Sequence, residues 1–351
     1  VAELVDWALA RRIALTGIGE RGPAMRGAPD LAAAGERASA AVRGYTGLDP
    51  LEPLPEPEWV SRRDWIDVNL ASVRDVTATA ATRLGDAAER QPLASVAGRV
   101  LAVEIGALLG FAARHVLGQY EYPLLGGERK PRLLFVGENI DVAATQLGGE
   151  PDPVLDWIAL HETTHSVQFA AAPWLRAHVG GLARTLLAEA PVRLPVAEIL
   201  ARAREIATSD PRQTFDEIRG SDPVSLLAPA ESLATINSLQ AVMASVEGYA
   251  EHVMDAAAGN LGAAVAELRA GLDARRRNRS VPVRILSWLF GFELKMRQYE
   301  QGKRFCDAVV ATAGIAGLNG AWEQPETLPD REELADPEAW VERVLAAPAI
   351  A

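Results

Sequence analysis

Asp152-Pro153-Val154-Leu155-Asp156-Trp157-Ile158-Ala159-Leu160-His161-Glu162-Thr163-Thr164-His165-Ser166-Val167-Gln168-Phe169 decides how the chain is read. Asp152 offers an acceptor side chain for an N-cap, and Pro153 suits the first helical position, where no N–H is needed. The spacing predicts a helix that runs to about Ala172 and stops at Pro173. Within it His161 and His165 are four apart, one above the other on one face. Two imidazoles so placed can both reach one zinc ion at about 2.0–2.1 Å. Glu162 follows the first His by about 100° of rotation, beside such an ion rather than on it. That is where a general base for an activated water belongs. With this chain's His and Glu frequencies, H-E-x-x-H arises by chance in roughly one chain of this length in 200. Its setting adds weight, because the stripe continues back through Ile158 and Val154 and a short strand precedes the helix.

A catalytic zinc needs a third protein ligand and an open position. One solution is a His six residues after the second His, following a Gly. Here those positions hold Ala171 and Gln168, which excludes it. Another is a Glu from a separate helix. The candidates are His178, His252, and Glu247 with Glu251, and Glu247 is preferred. Glu247 and Glu251 share a helix face, so one carboxylate can bind the metal while the other accepts the second N–H of a ligating His. Gly248 would allow a close approach of that helix.

Composition narrows the rest. The chain has 351 residues, 49% apolar, 23% charged, with one cysteine and a net charge of −12. Such a chain buries a large core, in one large domain or two packed closely. One cysteine, Cys306, excludes an internal disulfide framework and any multi-Cys metal site, and reads as a small buried hydrophobe. The acidic balance argues against a general nucleic-acid partner. The most membrane-like stretch, Leu101–Leu117, is broken by Glu104 and Arg114, short of the ~20 residues a span needs. No leader segment is visible, so a soluble, cytoplasmic protein is expected.

Along the chain, helical patches are expected at Glu3–Ile13 and Leu31–Tyr45, followed by a Pro-rich connector over residues 49–57. Trp59–Leu84 reads as a helix. Another opens at Pro92 and runs to about Leu117. Its Gly106 and Gly110 give a small-residue face for close packing against a neighbouring helix. Leu133–Val136 reads as a strand ended by Gly137. It could hold an extended peptide by edge pairing, with Asn139 at its exit. Asp222-Pro223 and Pro229 precede a helix from about Ala230 to Ala258, closed by Gly259 as a C-cap. Val281–Val310 reads as helical, and a short helix near Trp340 ends the chain. Arg275–Arg279, with Arg284, reads as a solvated basic run. His115 is expected to be packed, and the tryptophans to anchor the core.

His161–Phe169, then Pro173-Trp174-Leu175, then Glu247-Gly248-Tyr249-Ala250-Glu251, resemble the zincin-like metallopeptidases of the bacterial zincin type 2 family. Val116–Tyr120, Lys295–Phe305, Leu328-Pro329 and Pro337–Trp340 extend the likeness from about residue 60 onward. Members are often labelled as hydrolases associated with biosynthesis of the deazaflavin cofactor. The resemblance implies a mainly α (α+β), multi-helix zincin-like fold with a small β-sheet beside the H-E-x-x-H helix. An N-terminal helical segment with its connector (1–58) would precede a metallohydrolase domain (59–351). Zn2+ would be held by His161, His165 and Glu247, with Glu251 behind them and Glu162 as base. Tyr299 is the family-like donor to a developing oxyanion, and Tyr249 is the other candidate. The substrate would be a peptide or other amide. The alternative is a catalytically silent binding or regulatory protein on the same scaffold, serving a cofactor pathway. Two features depart from expectation: 82 positions separate His165 from Glu247, and position 249 is Tyr where many relatives are expected to have His.

Overall fold

The computed structural model describes residues 5–18, 29–89, 94–125, 129–147, 150–189, 232–261 and 292–346; the basic run at 275–284 and the Asp222-Pro223 signal fall outside them. In chain order the elements are α1 (Trp7–Gly17), α2 (Leu31–Thr46), β1 (Pro57–Val60), α3 (Arg62–Glu89), α4 (Ala94–Ala112), β2 (Gly118–Glu121), β3 (Arg132–Val136), α5 (Gly137–Leu147), α6 (Pro151–Ala171), α7 (Trp174–Glu189), α8 (Leu233–Ala257), α9 (Phe292–Asn319) and α10 (Pro337–Val344). The fold is mainly α with a small sheet, as expected. Among the described residues no helix is long and apolar enough to cross a membrane.

The sheet has the order β1-β3-β2. β1 runs parallel to β3 with Trp59 opposite Phe135, and β2 runs antiparallel with Tyr120 opposite Leu133. The apolar run Leu133-Leu134-Phe135-Val136 has no polar alternation because both faces are covered. Leu134 and Val136 pack with α1, α3 and α4; Leu133 and Phe135 pack with α2, α5 and α6. This overturns two expectations. Trp59 and Val60 form a strand, not a helix start, because pairing with β3 outweighs local helical propensity. β3 is central, so both its edges are taken and it cannot hold a peptide; β1 and β2 have the outer edges. Asn139 is buried and donates to the carbonyls of Ala113 and Val116, a structural task rather than a substrate contact.

α6 is buried on nearly every side from Val154 to Ala170. α2, α5, α8 and β2 surround it. It begins at Pro151, with Glu150 as N-cap and no side-chain cap; Asp152, the expected cap, lies in the first turn, where a carboxylate favours the helix dipole. α8 passes into a 3-10 turn, Ala258–Leu261, and Gly259 is not left-handed, so the expected glycine cap is absent. α4 ends at Ala112, and His115 is exposed on its C-terminal side, stacked on Phe111. Cys306 is buried, as expected.

Two close helix contacts depend on glycine. A Cβ on Gly106 or Gly110 of α4 would lie 2.5 and 2.7 Å from the carbonyl oxygens of Ala10 and Ala14 of α1, so the small-residue face does meet a neighbour. Gly248 of α8 meets the backbone of Gly302 on α9, and Gly302 in turn meets Ala244. The helix that Gly248 admits is therefore α9, which backs α8 against the core. α9 itself bends at Gly314, where φ is +70°.

Backbone cannot swing aside as a side chain can, so Gly302→Ala should cost about 1–3 kcal/mol or more in chemical denaturation. Gly44, on the exposed side of α2 with nothing within 4 Å of a built Cβ, gives the opposite expectation. Gly44→Ala should stabilise by roughly 0.5–1 kcal/mol. A Gly302→Ala protein as stable as the unmutated chain would contradict the contact.

Candidate metal centre

The helical period brings the first two candidate ligands together. His161 and His165 stack along α6 with ring centroids 4.7 Å apart and planes at 84°. Their Nε2 atoms are 3.2 Å apart. Glu247 arrives from α8, and its Oε2 lies 3.7 Å from each Nε2. Ligand atoms of these three residues all fall within 4.8 Å of one another, the one such group of His, Cys, Asp and Glu among the described residues. A tetrahedron with bonds of 2.0–2.1 Å has edges of roughly 3.3–3.4 Å. The triangle of 3.2, 3.7 and 3.7 Å fits one face of it. The two imidazoles and one carboxylate are the donor set zinc accepts.

Burial disfavours the charged form of His165, yet its pKa lies above the ordinary value. Glu247, Glu162 and Gln168 together outweigh desolvation. Glu162 is buried, and its Oε2 accepts the backbone N–H of Tyr120 on β2 at 2.8 Å. Gly118, one residue before Gln119 on that strand, leaves the room: a Cβ there would lie 2.7 Å from Glu162 Cγ and 2.7 Å from Ile158 Cγ2. The edge of the sheet thus holds the carboxylate beside the imidazoles.

The outer nitrogens are met differently from expectation. His161 Nδ1 lies 2.9 Å from Met254 Sδ, and His165 Nδ1 is buried without a hydrogen-bond partner. Glu251 does not hold His165. Met254 was legible in principle, since it lies seven residues after Glu247 and so two turns along the same face of α8. The other third-ligand candidates are engaged elsewhere. His252 bonds Tyr45 Oη at 2.6 Å and Asp307 Oδ1 at 2.7 Å. His178 stacks edge-on against Trp174, and burial lowers its pKa. Tyr249 is wholly buried against Trp322 and donates to Asn319 Oδ1 at 2.7 Å, which makes it a core residue and not an oxyanion donor. Tyr299 lies on α9, but its side chain is outside the described residues.

Tyr120 and Tyr122, neither weighed as a site side chain from sequence, pack beside the H-E-x-x-H helix. Both stack on Phe169, one turn beyond His165, at centroid distances of 5.6 and 4.9 Å. Burial raises the Tyr120 hydroxyl to about 12. Burial also raises Tyr122, to which the charge of Glu247 contributes. Arg176, paired with Glu52, stands close enough to lower both.

A family described as zincin-like metallopeptidase matches residues 5–341. A crystal structure from Chloroflexus aurantiacus, described as a candidate hydrolase with a novel fold, is similar at 27% identity and a TM-score of 0.70. The match covers 98% of this chain and 100% of that one. None of the curated proteins compared with the chain matches it.

The Tyr45–His252–Asp307 chain ties α2, α8 and α9 together, with Lys303 on the second Asp307 oxygen. Burial opposes the Asp307 charge, but His252 and Lys303 prevail and hold its pKa below the ordinary carboxylate value. Its contribution to stability is present above that ordinary value, near pH 4, and is lost as pH falls through the lower folded value. Asp307→Asn should therefore be less stable than the unmutated chain at pH 7, with the gap in melting temperature closing toward pH 3. A gap that is constant over this range would contradict the ion-pair account.

Proposed function

The chain belongs to the zincin-like metallopeptidase family, and on that premise we propose that it is a zinc-dependent hydrolase of peptide or other amide bonds. One observation carries the reading: His161 Nε2, His165 Nε2 and Glu247 Oε2 form a triangle of zinc-binding size with Glu162 beside it. Zinc held there would supply Lewis acidity and a water that ionises near neutral pH. Glu162, fixed by the Tyr120 N–H, would take the proton from the attacking water and pass it to the leaving amine. An extended substrate would lie along β2, whose outward N–H at Tyr120 points at the base. Tyr299 is kept as donor to the developing oxyanion, and Tyr122, beside Phe169 and within the field of Glu247, joins it as a second candidate. The proposed setting is the cytoplasm, without nucleic-acid or membrane partners.

Purification without chelators should yield about one zinc per chain. His161→Ala should abolish stoichiometric zinc. Glu162→Gln keeps an oxygen for the Tyr120 N–H but cannot carry the proton. It should retain zinc and lose about 10²–10⁴-fold in turnover of a fluorogenic peptide library. A biological function that survives Glu162→Gln would favour the silent scaffold linked to deazaflavin biosynthesis instead. Gly118→Ala should displace the base and lower turnover while zinc stoichiometry stays at one. Metal-free protein that cannot be reloaded would remove the basis of the hydrolase reading.

A further inference from the structure

We propose that Gln168 is a positioning residue for His165, its Oε1 accepting the Nδ1–H of that imidazole and so aiming the Nε2 lone pair at the metal. This rests on the metal-site reading above. His165 faces His161 and Glu247 through Nε2. Binding an ion through Nε2 requires the proton on Nδ1, which then needs an acceptor in the protein interior. Nδ1 is buried with no partner. Gln168 lies three residues further along α6, on the adjoining face, with its side chain fully buried. Neither its amide oxygen nor its amide nitrogen has a partner.

Two unsatisfied groups side by side in a core are each other's natural solution, because an unpaired buried dipole is costly and a paired one is not. The last torsion of a Gln side chain is broad and roughly two-fold, so turning the amide onto Nδ1 needs no change in the helix. The Gln168 side chain lies within reach of this ring. The sister imidazole is held more loosely, with only the thioether of Met254 facing its Nδ1. The two ligands would then be unequal, His165 oriented by a hydrogen bond and His161 by packing.

The test uses the full chain and zinc alone, with dissociation constants from competition against a chromophoric chelator. Gln168→Leu fills the same space without an acceptor and should weaken zinc binding about 10- to 100-fold. Gln168→Glu, which restores an acceptor, should return affinity to within a few-fold of the unmutated chain. In a His165→Ala background, Gln168→Leu should have no further effect on residual binding, which a merely structural residue would not show. Proton–nitrogen NMR of the zinc-loaded unmutated chain gives an independent readout that stands even if the Leu variant does not fold. His165 should be the Nδ1-protonated tautomer with a slowly exchanging ring proton. Equal zinc affinity in Gln168→Leu, or a rapidly exchanging Nδ1 proton, overturns this proposal and leaves the hydrolase reading standing. Failure of the unmutated chain to bind zinc overturns both.

Discussion

The structure depends on one constraint: a helix enclosed on nearly all sides that nevertheless presents two imidazoles and a carboxylate. α6 is covered by α2, α5, α8 and the edge of the sheet, and from Leu160 to Ala170 almost every residue is buried. Placing polar groups there is unfavourable unless they find partners, and several of them do. Glu162 finds the Tyr120 amide, Thr164 donates to the Leu160 carbonyl, and the imidazoles find Glu247. The neighbours of α6 are thus arranged around its polar stripe as much as around its apolar surface. β2 and α8 each supply the group that one charged side chain requires.

That arrangement needs α8 at a fixed distance. The Gly248–Gly302 contact brings α9 against the far side of α8 with no side chain between them. The Tyr45–His252–Asp307 chain secures the same helix from a second direction. Glu247 is therefore carried on an element clamped from two sides, which suits its place in the proposed metal triangle. The principal core cluster draws on the same helices, joining Val42, Trp157, Val246, Phe305 and Trp340.

The parts legible in sequence were those written in local periods. His161 and His165 share a face because four residues make about one turn, and Gly106 with Gly110 announced a close helix contact for the same reason. Glu247 needed the additional rule that zinc takes a third protein ligand. What escaped was fixed by partners distant in the chain. Trp59 became a strand because β3 was there to pair with it, and β3 lost its free edge to the same event. The hydrogen bond to Glu162 comes from a backbone amide, which every residue has and no sequence pattern marks. His252 looked eligible as a ligand, and only its contacts with Tyr45 and Asp307 remove it.

The long interval between His165 and Glu247 has a consequence for assembly during synthesis. Both imidazoles leave the ribosome many seconds before the carboxylate that completes the set, at typical rates of about 5–20 residues per second. A nascent chain therefore offers only a two-point, weakly chelating helix. If the proposed site takes an ion, tight uptake would wait until α8 has docked, and loading would report that the interior is finished rather than guide its formation.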